Sequence, residues 1–327
     1  MAVDFAIAFA GAKLGAYFGV HLRARSNEQK AETRHPPKGR MVTVEGTPLH
    51  LTVEGKGPPL ILLHGAGGNL RDFEPLMPAL AQRFTVVRFD RPGLGHSGLP
   101  ARQNRFWRMD APTPVDQARL MARAYDTLGL GPAVILGQSY GGAVALGWAL
   151  AEPASAAALV LVSAVSQPWP GRISWQYPLA ASPVGALTFV PLVSAFATRG
   201  IVHLALRKIF APQAPPTDYD RLLGLRLSLR RAAFRANARQ VNTLYRSVKA
   251  MAPGYARLTL PVEMVHGDAD GIVPYDVHAV PTAATLPEAR LTRLPGIGHM
   301  PHPSAPQAVL AAIDRASERA GLPPAEQ

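Results

Sequence analysis

From residue 41 onward, short apolar runs of strand length alternate with segments of helical periodicity. The first two runs, MVTVEG and PLHLTVEG, each end in glycine and predict a β-hairpin. The later runs are apolar throughout, which is typical of strands buried on both faces of a sheet. They are PLILLHG (59–65), FTVVRFD (84–90), AVILG (133–137), AALVLVSAV (157–165) and PVEMVHG (261–267).

Segments of helical periodicity between these runs predict helices. Thr113 and Pro114 form a helix start before one of them, and Gly129 forms its stop. Because helices separate the strands, we expect an α/β fold with a mostly parallel central sheet flanked by helices. Ligands of such sheets bind at the carboxyl ends of the strands. The predicted helices cover residues 72–82, 115–129, 140–151 and 304–320.

The alternation stops between residues 167 and 253. Proline, tryptophan and arginine become frequent there, and helical stretches replace the strands. Since the strand pattern resumes at 261, this segment is an insertion within the chain order of the sheet. We therefore expect a core formed by residues 41–166 and 254–327, with a helical insertion over 167–253 that covers the site as a lid.

Residues 1–40 form a separate region, in which a basic linker follows an apolar helix. The stretch at 2–20 suits a membrane anchor or an interfacial helix, and a helix docked on the protein's own body is the alternative. Asp4 stands where a signal peptide carries basic residues, which argues against cleavage. Lys13, near the middle, disfavours a full span. We expect the protein in the cytoplasm or, if this helix is an anchor, at the cytoplasmic face of a membrane.

The composition is that of a globular protein without cysteine chemistry. Of its 327 residues, 48% are hydrophobic and 17% are charged, which is incompatible with a disordered chain. The absence of cysteine excludes disulfides and thiolate nucleophiles. No zinc-protease, phosphate-binding or calcium-loop motif occurs, so we predict no metal and no cofactor.

The net charge of +12 comes mostly from the insertion. Residues 166–253 hold twelve basic and two acidic residues. A solvated helix face, a basic helix resting on an anionic membrane surface and a site for an acidic partner all fit this pattern. Nucleic acid is not expected as a partner, because the arginines are not interleaved with aromatic residues. The arginines with mostly helical spacing are Arg221, Arg226, Arg230, Arg231, Arg235 and Arg239.

The segment GQSYG (137–141) connects a predicted buried strand to a predicted helix. It fits G-x-S-x-G, in which a serine stands on a sharp strand-to-helix turn. The hydroxyl of Ser139 would then project at a helix N-terminus, where backbone N–H groups also point. This pattern makes Ser139 a candidate nucleophile, although five residues alone are weak evidence.

A nucleophilic serine requires a base and a group that orients the base. His299 lies in a loop after the strand-like run ARLTRL, and Asp268 and Asp270 lie in the loop after PVEMVHG. Serine, aspartate and histidine in that chain order, each after a strand, are the arrangement of an acyl-transfer triad on a parallel sheet. We predict Ser139, His299 and one of the two aspartates as catalytic residues.

The same reaction needs donors for the developing oxyanion. One predicted donor is the backbone N–H of Tyr140, the residue after the nucleophile. The other is the backbone N–H of Ala66 in HGAGG, which follows the predicted strand at 59–65. His64 is expected to support this loop, because no second serine accompanies it.

Five motifs occur in the order that the α/β-hydrolase fold family has them, namely HGAGG, DRPGLGHSG, GQSYGG, HGDADGIVP and PGIGHMPH. Over about residues 41–165 and 254–320 the chain resembles the lid-bearing serine esterases, lipases and perhydrolases of that family. In these relatives the acid usually stands three residues after the glycine that ends its strand. Counted from Gly267, the resemblance implies Asp270 as the triad acid, with Asp268 as the alternative.

Two departures from family patterns narrow the activity. Relatives that hydrolyse epoxides or haloalkanes carry aspartate where this chain has Ser139, and hydrolases of carbon–carbon bonds usually read H-G-x-G-P-G where this chain has HGAGGN. We predict a serine hydrolase that cleaves small or lipophilic carboxylic esters through an acyl-enzyme on Ser139. The alternatives are a perhydrolase, lactonase, acyltransferase or carbon–carbon bond hydrolase, or a catalytically silent, membrane-associated binding protein.

Overall fold

The computed structural model describes residues 2–322, with side chains from residue 13 onward. The first eleven side chains of the predicted N-terminal segment, Asp4 among them, and the last five residues of the predicted core lie outside the described part of the chain.

Eight strands form one sheet in the order β1-β2-β4-β3-β5-β6-β7-β8. The hairpin β1–β2 and the pair β2–β4 are antiparallel, and all other neighbours are parallel. The predicted hairpin, the five buried strands and the mostly parallel sheet are confirmed. The strands are β1 (Arg40–Val44), β2 (Thr47–Glu54), β3 (Pro59–Leu63), β4 (Thr85–Phe89), β5 (Ala133–Gln138), β6 (Ala156–Val162), β7 (Val262–Gly267) and β8 (Ala289–Leu294).

Helices flank the sheet and fill the insertion between β6 and β7. In chain order they are α1 (Ala2–Arg34), α2 (Met77–Leu80), α3 (Pro114–Asp126), α4 (Tyr140–Ala151), α5 (Gln176–Ala181), α6 (Pro183–Leu187), α7 (Phe189–Phe196), α8 (Arg199–Phe210), α9 (Tyr219–Leu222), α10 (Arg231–Met251), α11 (Tyr275–Thr285), α12 (Pro301–Ser304) and α13 (Pro306–Arg319). Short 3-10 helices cover Leu70–Leu76, Pro153–Ser155, Leu225–Leu227 and Ala252–Arg257.

Local sequence explains where several helices begin and break. Thr113 caps α3 in a capping box with Asp116, and Pro114 occupies the first helical position. The helix predicted over 304–320 is confirmed as α13, which a break at Ala305 separates from the short α12 before it. Ala305 at the break has φ −141° and ψ 57°, outside the helical region, which the residue before a proline avoids.

The helix predicted over residues 72–82 is only in part an α-helix. A 3-10 helix covers Leu70–Leu76, and only the four residues of α2 are α-helical. Pro75 and Pro78 lie within the segment. Because proline lacks the N–H that an α-helix interior needs, two prolines three residues apart prevent a continuous helix.

The sheet is buried on both faces. Every residue of β3, β5 and β7 is buried. On one face the alternate strand residues pack with α3, α4 and part of α10, and on the other with the segment after β3 and with α13. Burial of apolar side chains on this scale is the main stabilising contribution to the fold.

The arginine row of the insertion binds the protein's own atoms. Arg231 donates through Nε and Nη2 to the two carboxylate oxygens of Glu28, at 2.8 and 2.9 Å. Arg239 is 3% exposed and donates to the backbone carbonyl of Asp110. Only Arg221, paired with Asp218, lies on an exposed surface. The helically spaced arginines as a group therefore form neither a solvated helix face nor a binding site for a membrane or an acidic partner. Arg226, Arg230 and Arg235 also donate to the protein's own atoms. The acceptors are the carbonyl of Ala197 for Arg226, the carbonyl of Gly95 and the carboxylate of Glu32 for Arg230, and the carbonyl of Phe106 for Arg235.

Residues 13–19 of α1 and the part of α1 toward its C-terminal end have different surroundings. Toward its C-terminal end, Ala24 and Ala31 are buried, and Asn27 donates to the carbonyl of Ser194 in α7 at 3.0 Å. Residues 13–19 are exposed without exception. A helix docked on the body therefore does not describe residues 13–19, and the docked part of α1 lies closer to its C-terminal end.

Within residues 2–322, no single helix is both long and apolar enough to cross a membrane. One bent pair, Pro183–Phe196 with Arg199–Phe210, reaches the required length and composition when taken together, with an angle of 98° between the two parts.

Asp72 is a buried carboxyl in the segment after β3. Its carboxylate lies so close to Gly68 that a Cβ on Gly68 would overlap it, and its Oδ1 has no hydrogen-bond partner among the described residues. Burial raises the pKa of Asp72 to about 7, against the opposing effect of a hydrogen bond from the Asn69 backbone. The folded protein therefore holds a proton here that the unfolded chain releases at lower pH.

The change Asp72→Asn should remove a pH-dependent loss of stability. Between about pH 4 and pH 7 the folded protein binds more protons at Asp72 than the unfolded chain, so this group lowers stability as pH rises. Asparagine does not ionise, so the variant should gain up to about 4 kcal/mol relative to the wild type between about pH 5 and pH 8. Urea unfolding at several pH values measures the difference.

Asp126→Asn, the same change at an exposed position, is the control and should leave the pH profile as in the wild type. A stability difference between Asp72→Asn and the wild type that does not change with pH would contradict the prediction.

Candidate active site

The turn from β5 to α4 has Ser139 at its centre. Ser139 has φ 53° and ψ −117°, a conformation that residues with a Cβ seldom adopt and that persists only where surrounding structure holds it. The Ser139 N–H donates to the carbonyl of Val162, and its carbonyl accepts from the N–H of Val165, both at 3.0 Å. These two bonds anchor the turn to the carboxyl end of β6.

The glycines on either side of Ser139 are required by backbone contacts. A Cβ on Gly137 would overlap the carbonyl oxygen of Gly141, and a Cβ on Gly141 would overlap the carbonyl oxygen of Leu63 in β3. Because the opposing atoms belong to the backbone, no side-chain rotation could relieve the overlap. The glycines of GQSYG therefore allow α4 to start directly against β5 and β3.

His299 and Asp270 meet Ser139 from the loops after β8 and β7. His299 Nε2 lies 3.0 Å from Ser139 Oγ, and His299 Nδ1 lies 2.8 Å from Asp270 Oδ2. The three residues are buried, with exposed fractions of 5 to 7%. They form one continuous chain of hydrogen bonds at the carboxyl edge of the sheet, in which His299 is within reach of the Ser139 proton.

The surroundings of Asp270 favour its ionised form. Oδ1 accepts from two backbone N–H groups of its own loop at 2.8 Å each, and Oδ2 also lies 3.3 Å from His266 Nε2. Burial by itself would raise the pKa of Asp270, but the hydrogen bonds to His266 and His299 hold it well below its usual value. An ionised Asp270 accepts the Nδ1 proton of His299, which leaves Nε2 free to accept from the Ser139 hydroxyl.

Asp268, the alternative acid, has different partners. Its Oδ1 accepts from the N–H of Gly296 at 2.7 Å, and its Oδ2 accepts from Arg293 Nε at 2.9 Å. Of the two aspartates considered from the sequence, the structure brings only Asp270 to His299.

The HGAGG loop runs beside Ser139. A Cβ on Gly65 would stand 3.2 Å from Ser139 Cβ, so this part of the loop approaches the hydroxyl closely. Ala66 follows Gly65 and is exposed. Tyr140, the other predicted donor of a backbone N–H, is the first residue of α4.

Two other amides of the same loop already have partners. The N–H of Gly67 donates to Asn237 Oδ1 in α10 at 2.7 Å, and the N–H of Gly68 donates to the carbonyl of Gly65 at 3.3 Å. The first bond ties the loop to the insertion, and the second lies within the loop. They also leave Ala66 as the better candidate among these three residues for donating to a bound group.

His64 supports the HGAGG loop through hydrogen bonds at both ring nitrogens. Its Nδ1 lies 2.9 Å from the carbonyl of Gly65, and its Nε2 accepts from the backbone N–H of Arg91 at 3.0 Å. Burial, followed by the charge of Arg91, lowers the pKa of His64 to about 3. The imidazole is therefore neutral, which suits a ring that donates through one nitrogen and accepts through the other.

Arg91 is a residue near the site that sequence reasoning missed. It is fully buried, its guanidinium lies 4.2 Å from the centre of the Tyr140 ring, and burial lowers its pKa to about 10. A charged residue two positions after the buried strand β4 was the available signal. Its side chain donates to the carbonyls of His64 (2.8 Å) and Gly65 (2.9 Å) and to the side-chain oxygens of Gln117 (2.8 Å) and Gln240 (2.9 Å).

The insertion contacts the site loops from a second side. A Cβ on Gly298, the residue before His299, would overlap the carbonyl of Ala211 in the insertion. Gln213 accepts from the N–H of Gly298 at 2.8 Å and donates to the carbonyl of Gly296 at 2.7 Å. Together with Asn237 at the HGAGG loop, these contacts hold the insertion over the edge of the sheet that carries Ser139.

Within the part of the chain that the structure describes, no group of three or more histidine, aspartate or glutamate side chains could hold a metal ion.

The chain is similar to known proteins over most of its length. The α/β hydrolase fold family matches residues 58–306. The chain is 28% identical over 280 residues to a pimeloyl-[acyl-carrier protein] methyl ester esterase of Nitrosomonas europaea, covering 81% of this chain and 98% of that protein. It is 30% identical over 282 residues to the polyketide synthase ThaQ of Burkholderia thailandensis, but this match covers 82% of the chain and only 12% of that protein.

A solved structure extends the comparison to three dimensions. An α/β hydrolase fold protein from Burkholderia ambifaria superimposes with a TM-score of 0.70 at 25% identity, covering 84% of this chain and 96% of that one. With the family match over residues 58–306, these similarities mean that the chain belongs to the α/β-hydrolase fold family.

Proposed function

We propose that this protein is a serine hydrolase that cleaves carboxylic esters through an acyl-enzyme on Ser139. The observation that carries the proposal is the chain of hydrogen bonds from Ser139 Oγ through His299 to Asp270. The strained backbone of Ser139 supports it as well, since strain of this kind is concentrated at functional sites.

In the first half of the proposed reaction, Ser139 Oγ attacks the ester carbonyl while His299 Nε2 takes the hydroxyl proton. Asp270 stabilises the imidazolium that forms. The N–H groups of Ala66 and Tyr140 would donate to the oxyanion. The tetrahedral intermediate collapses, His299 returns the proton to the alkoxide leaving group, and the acyl group stays on Ser139.

In the second half, water replaces the alcohol. His299 takes a proton from the water as its oxygen attacks the acyl carbonyl, and then returns a proton to Ser139 Oγ as the carbon–oxygen bond to the enzyme breaks. The carboxylic acid is released. A cysteine nucleophile is excluded because the chain has no cysteine.

We further propose that residues 167–253 act as a lid and that the substrate is a small or lipophilic ester. Ser139 is 7% exposed beneath the contacts that Ala211, Gln213 and Asn237 make with the site loops. A site closed in this way excludes water from the reacting atoms and suits an apolar acyl group. The Nitrosomonas relative is named as an esterase, which supports an ester as the substrate class.

Other acyl acceptors could use the same three residues, as in a perhydrolase, a lactonase or an acyltransferase, and a carbon–carbon bond hydrolase could use them as well. A catalytically silent binding protein is the alternative from another class. Covalent labelling of Ser139 by a fluorophosphonate separates the enzymes from the silent protein, and turnover of a simple ester in water separates a hydrolase from an obligate transferase.

Removal of the nucleophile or of its acid should abolish or greatly reduce ester hydrolysis. Ser139→Ala should give no turnover of a short-chain p-nitrophenyl ester, and Asp270→Asn should lower kcat by about 10⁴-fold because asparagine supports the wrong tautomer of His299. Initial rates measured on proteins with wild-type circular dichroism check both expectations.

Asp268→Asn is the matched control, since Asp268 binds Arg293 and Gly296 and does not contact His299. It should retain turnover within about 3-fold of the wild type, as expected for a change remote from the reacting groups. Loss of activity in Asp268→Asn with full activity in Asp270→Asn would reverse the assignment of the acid.

Replacement of Ala66 by proline should test the oxyanion donor. Proline has no backbone N–H, so Ala66→Pro should lower kcat by about 10²- to 10³-fold through loss of one donor. Steady-state kinetics on the ester series measures the effect, and KM should change much less than kcat because the bond strengthens only in the transition state.

Ala66→Ser keeps the N–H at the same exposed position and serves as the control. If Ala66→Ser and Ala66→Pro lose activity equally, the amide of Ala66 is not the donor. If neither loses activity while Ser139→Ala is inactive, the oxyanion is held by other groups.

A further inference from the structure

Large apolar side chains are exposed on α1 between residues 13 and 22. Leu14, Phe18 and Leu22 recur at four-residue intervals and are 58, 57 and 68% exposed. Their neighbours share this exposure, since every residue from 13 to 19 is exposed. A helix that is apolar and uncovered on all sides is unfavourable in water, so this segment requires an environment that surrounds it.

A second set of exposed apolar side chains lies on the insertion. Val184 in α6, Leu192 and Phe196 in α7, and Ile201 and Leu204 in α8 are between 48 and 69% exposed. They come from three consecutive helices. Isolated exposed apolar residues are common on proteins, but a group of this size on adjacent elements marks an interaction surface.

The two sets belong to one surface because α1 packs against α7. Arg23 Nε donates to the carbonyl of Ala195 at 3.0 Å, and its guanidinium lies 5.0 Å from the centre of the Phe196 ring. Asn27 and the Glu28–Arg231 ion pair continue the contact along α1. The exposed part of α1 and the exposed faces of α6, α7 and α8, named here the apolar apron, are thus held in a fixed relation.

The charges on the insertion helices of the apolar apron are basic. No acidic residue occurs in the sequence between Glu152 and Asp218, a stretch that contains α6, α7 and α8. Arg199, Arg207 and Lys208 lie on α8. Basic residues that border an apolar surface complement anionic lipid headgroups above an acyl region.

We propose that the apolar apron docks onto the surface of an anionic phospholipid bilayer. The exposed stretch of α1 from residue 13 to residue 22 lies in the boundary between headgroups and acyl chains, and the exposed side chains of α6, α7 and α8 enter the same layer. A bilayer fits better than a protein partner because it is fluid and can cover a helix that is exposed on every side. Its negative headgroups would face the basic residues of α8.

This docking would also orient the proposed active site. The same insertion that carries the apolar apron contacts the loops around Ser139 and His299. Docking would therefore bring the insertion, which contacts these loops, to the bilayer surface. The docking itself does not depend on ester hydrolysis, so it can be tested in an assay that does not use turnover.

Vesicle flotation of the full chain tests the proposal. We expect the wild type to float with vesicles of phosphatidylcholine and phosphatidylglycerol, and to float much less with phosphatidylcholine alone. The double variant Phe18→Glu and Leu204→Glu, one change in each half of the apolar apron, should bind the anionic vesicles at least about 10-fold more weakly. Both side chains are more than half exposed, so the variant should fold, which circular dichroism checks.

The matched control is the double variant Met41→Glu and Val280→Glu. These side chains are 50 and 43% exposed but lie on β1 and α11, outside the apolar apron. It should bind as the wild type does. Equal loss of binding in both double variants would mean that added negative charge alone weakens binding, and the proposed location would be wrong.

Absence of wild-type flotation with either vesicle would overturn the proposal. If the wild type instead self-associates with rising concentration and Phe18→Glu with Leu204→Glu abolishes this, a second copy of the chain covers the apolar apron. Retention of Ser139-dependent ester hydrolysis by the non-binding variant would separate a failure of docking from a failure of the proposed function.

Discussion

The close contact between backbones around Ser139 is the constraint on which the site depends. Gly137 and Gly141 leave no room for a Cβ, so α4 begins directly against β5 and β3. Ser139 is thereby held at a positive φ at the end of a fully buried strand. Strain of this kind requires rigid surroundings, and the buried sheet with helices on both faces provides them. His299 contacts Ser139 only because this turn holds the serine in place. His299 and Asp270 reach the turn from the loops after β8 and β7 of the same sheet.

Buried charge connects this turn to the rest of the molecule. Arg91 donates to two carbonyls of the HGAGG loop and to glutamines in α3 and α10, so one guanidinium joins the loop, the core and the insertion. The buried carboxylate of Asp270 also has its hydrogen-bonding capacity filled, by two backbone N–H groups and by His299. A buried charge is tolerated only when its hydrogen-bonding capacity is filled. The loss of one partner would therefore disturb several elements at once.

Sequence patterns failed where a residue type has more than one use. The arginines of the insertion have helical spacing, which is equally typical of a solvated face and of a face that binds other parts of the chain. Only the folded arrangement of α1 and the loops near Gly95 and Asp110 assigns them to internal carboxylates and carbonyls. The N-terminal helix had the same ambiguity, since its apolar residues fit a docked helix and a membrane helix alike. The helix predicted over 72–82 is mostly a 3-10 helix for a local reason that was visible in the sequence, because Pro75 and Pro78 prevent a continuous α-helix.

The sequence by itself determined the order of strands and helices, the sharp turn at Ser139 and the identity of the loops that carry His299 and the two aspartates. These features depend on local signals, namely apolar periodicity, glycine and the helix cap at Thr113, which act over a few residues. Tertiary structure alone decided that Asp270, and not Asp268, contacts His299, that Arg91 is buried, and that the insertion binds α1 and the HGAGG loop. Those outcomes depend on contacts between residues far apart in the chain, and their free energy depends on burial and on partners that become defined only when the sheet, the insertion and α1 have come together.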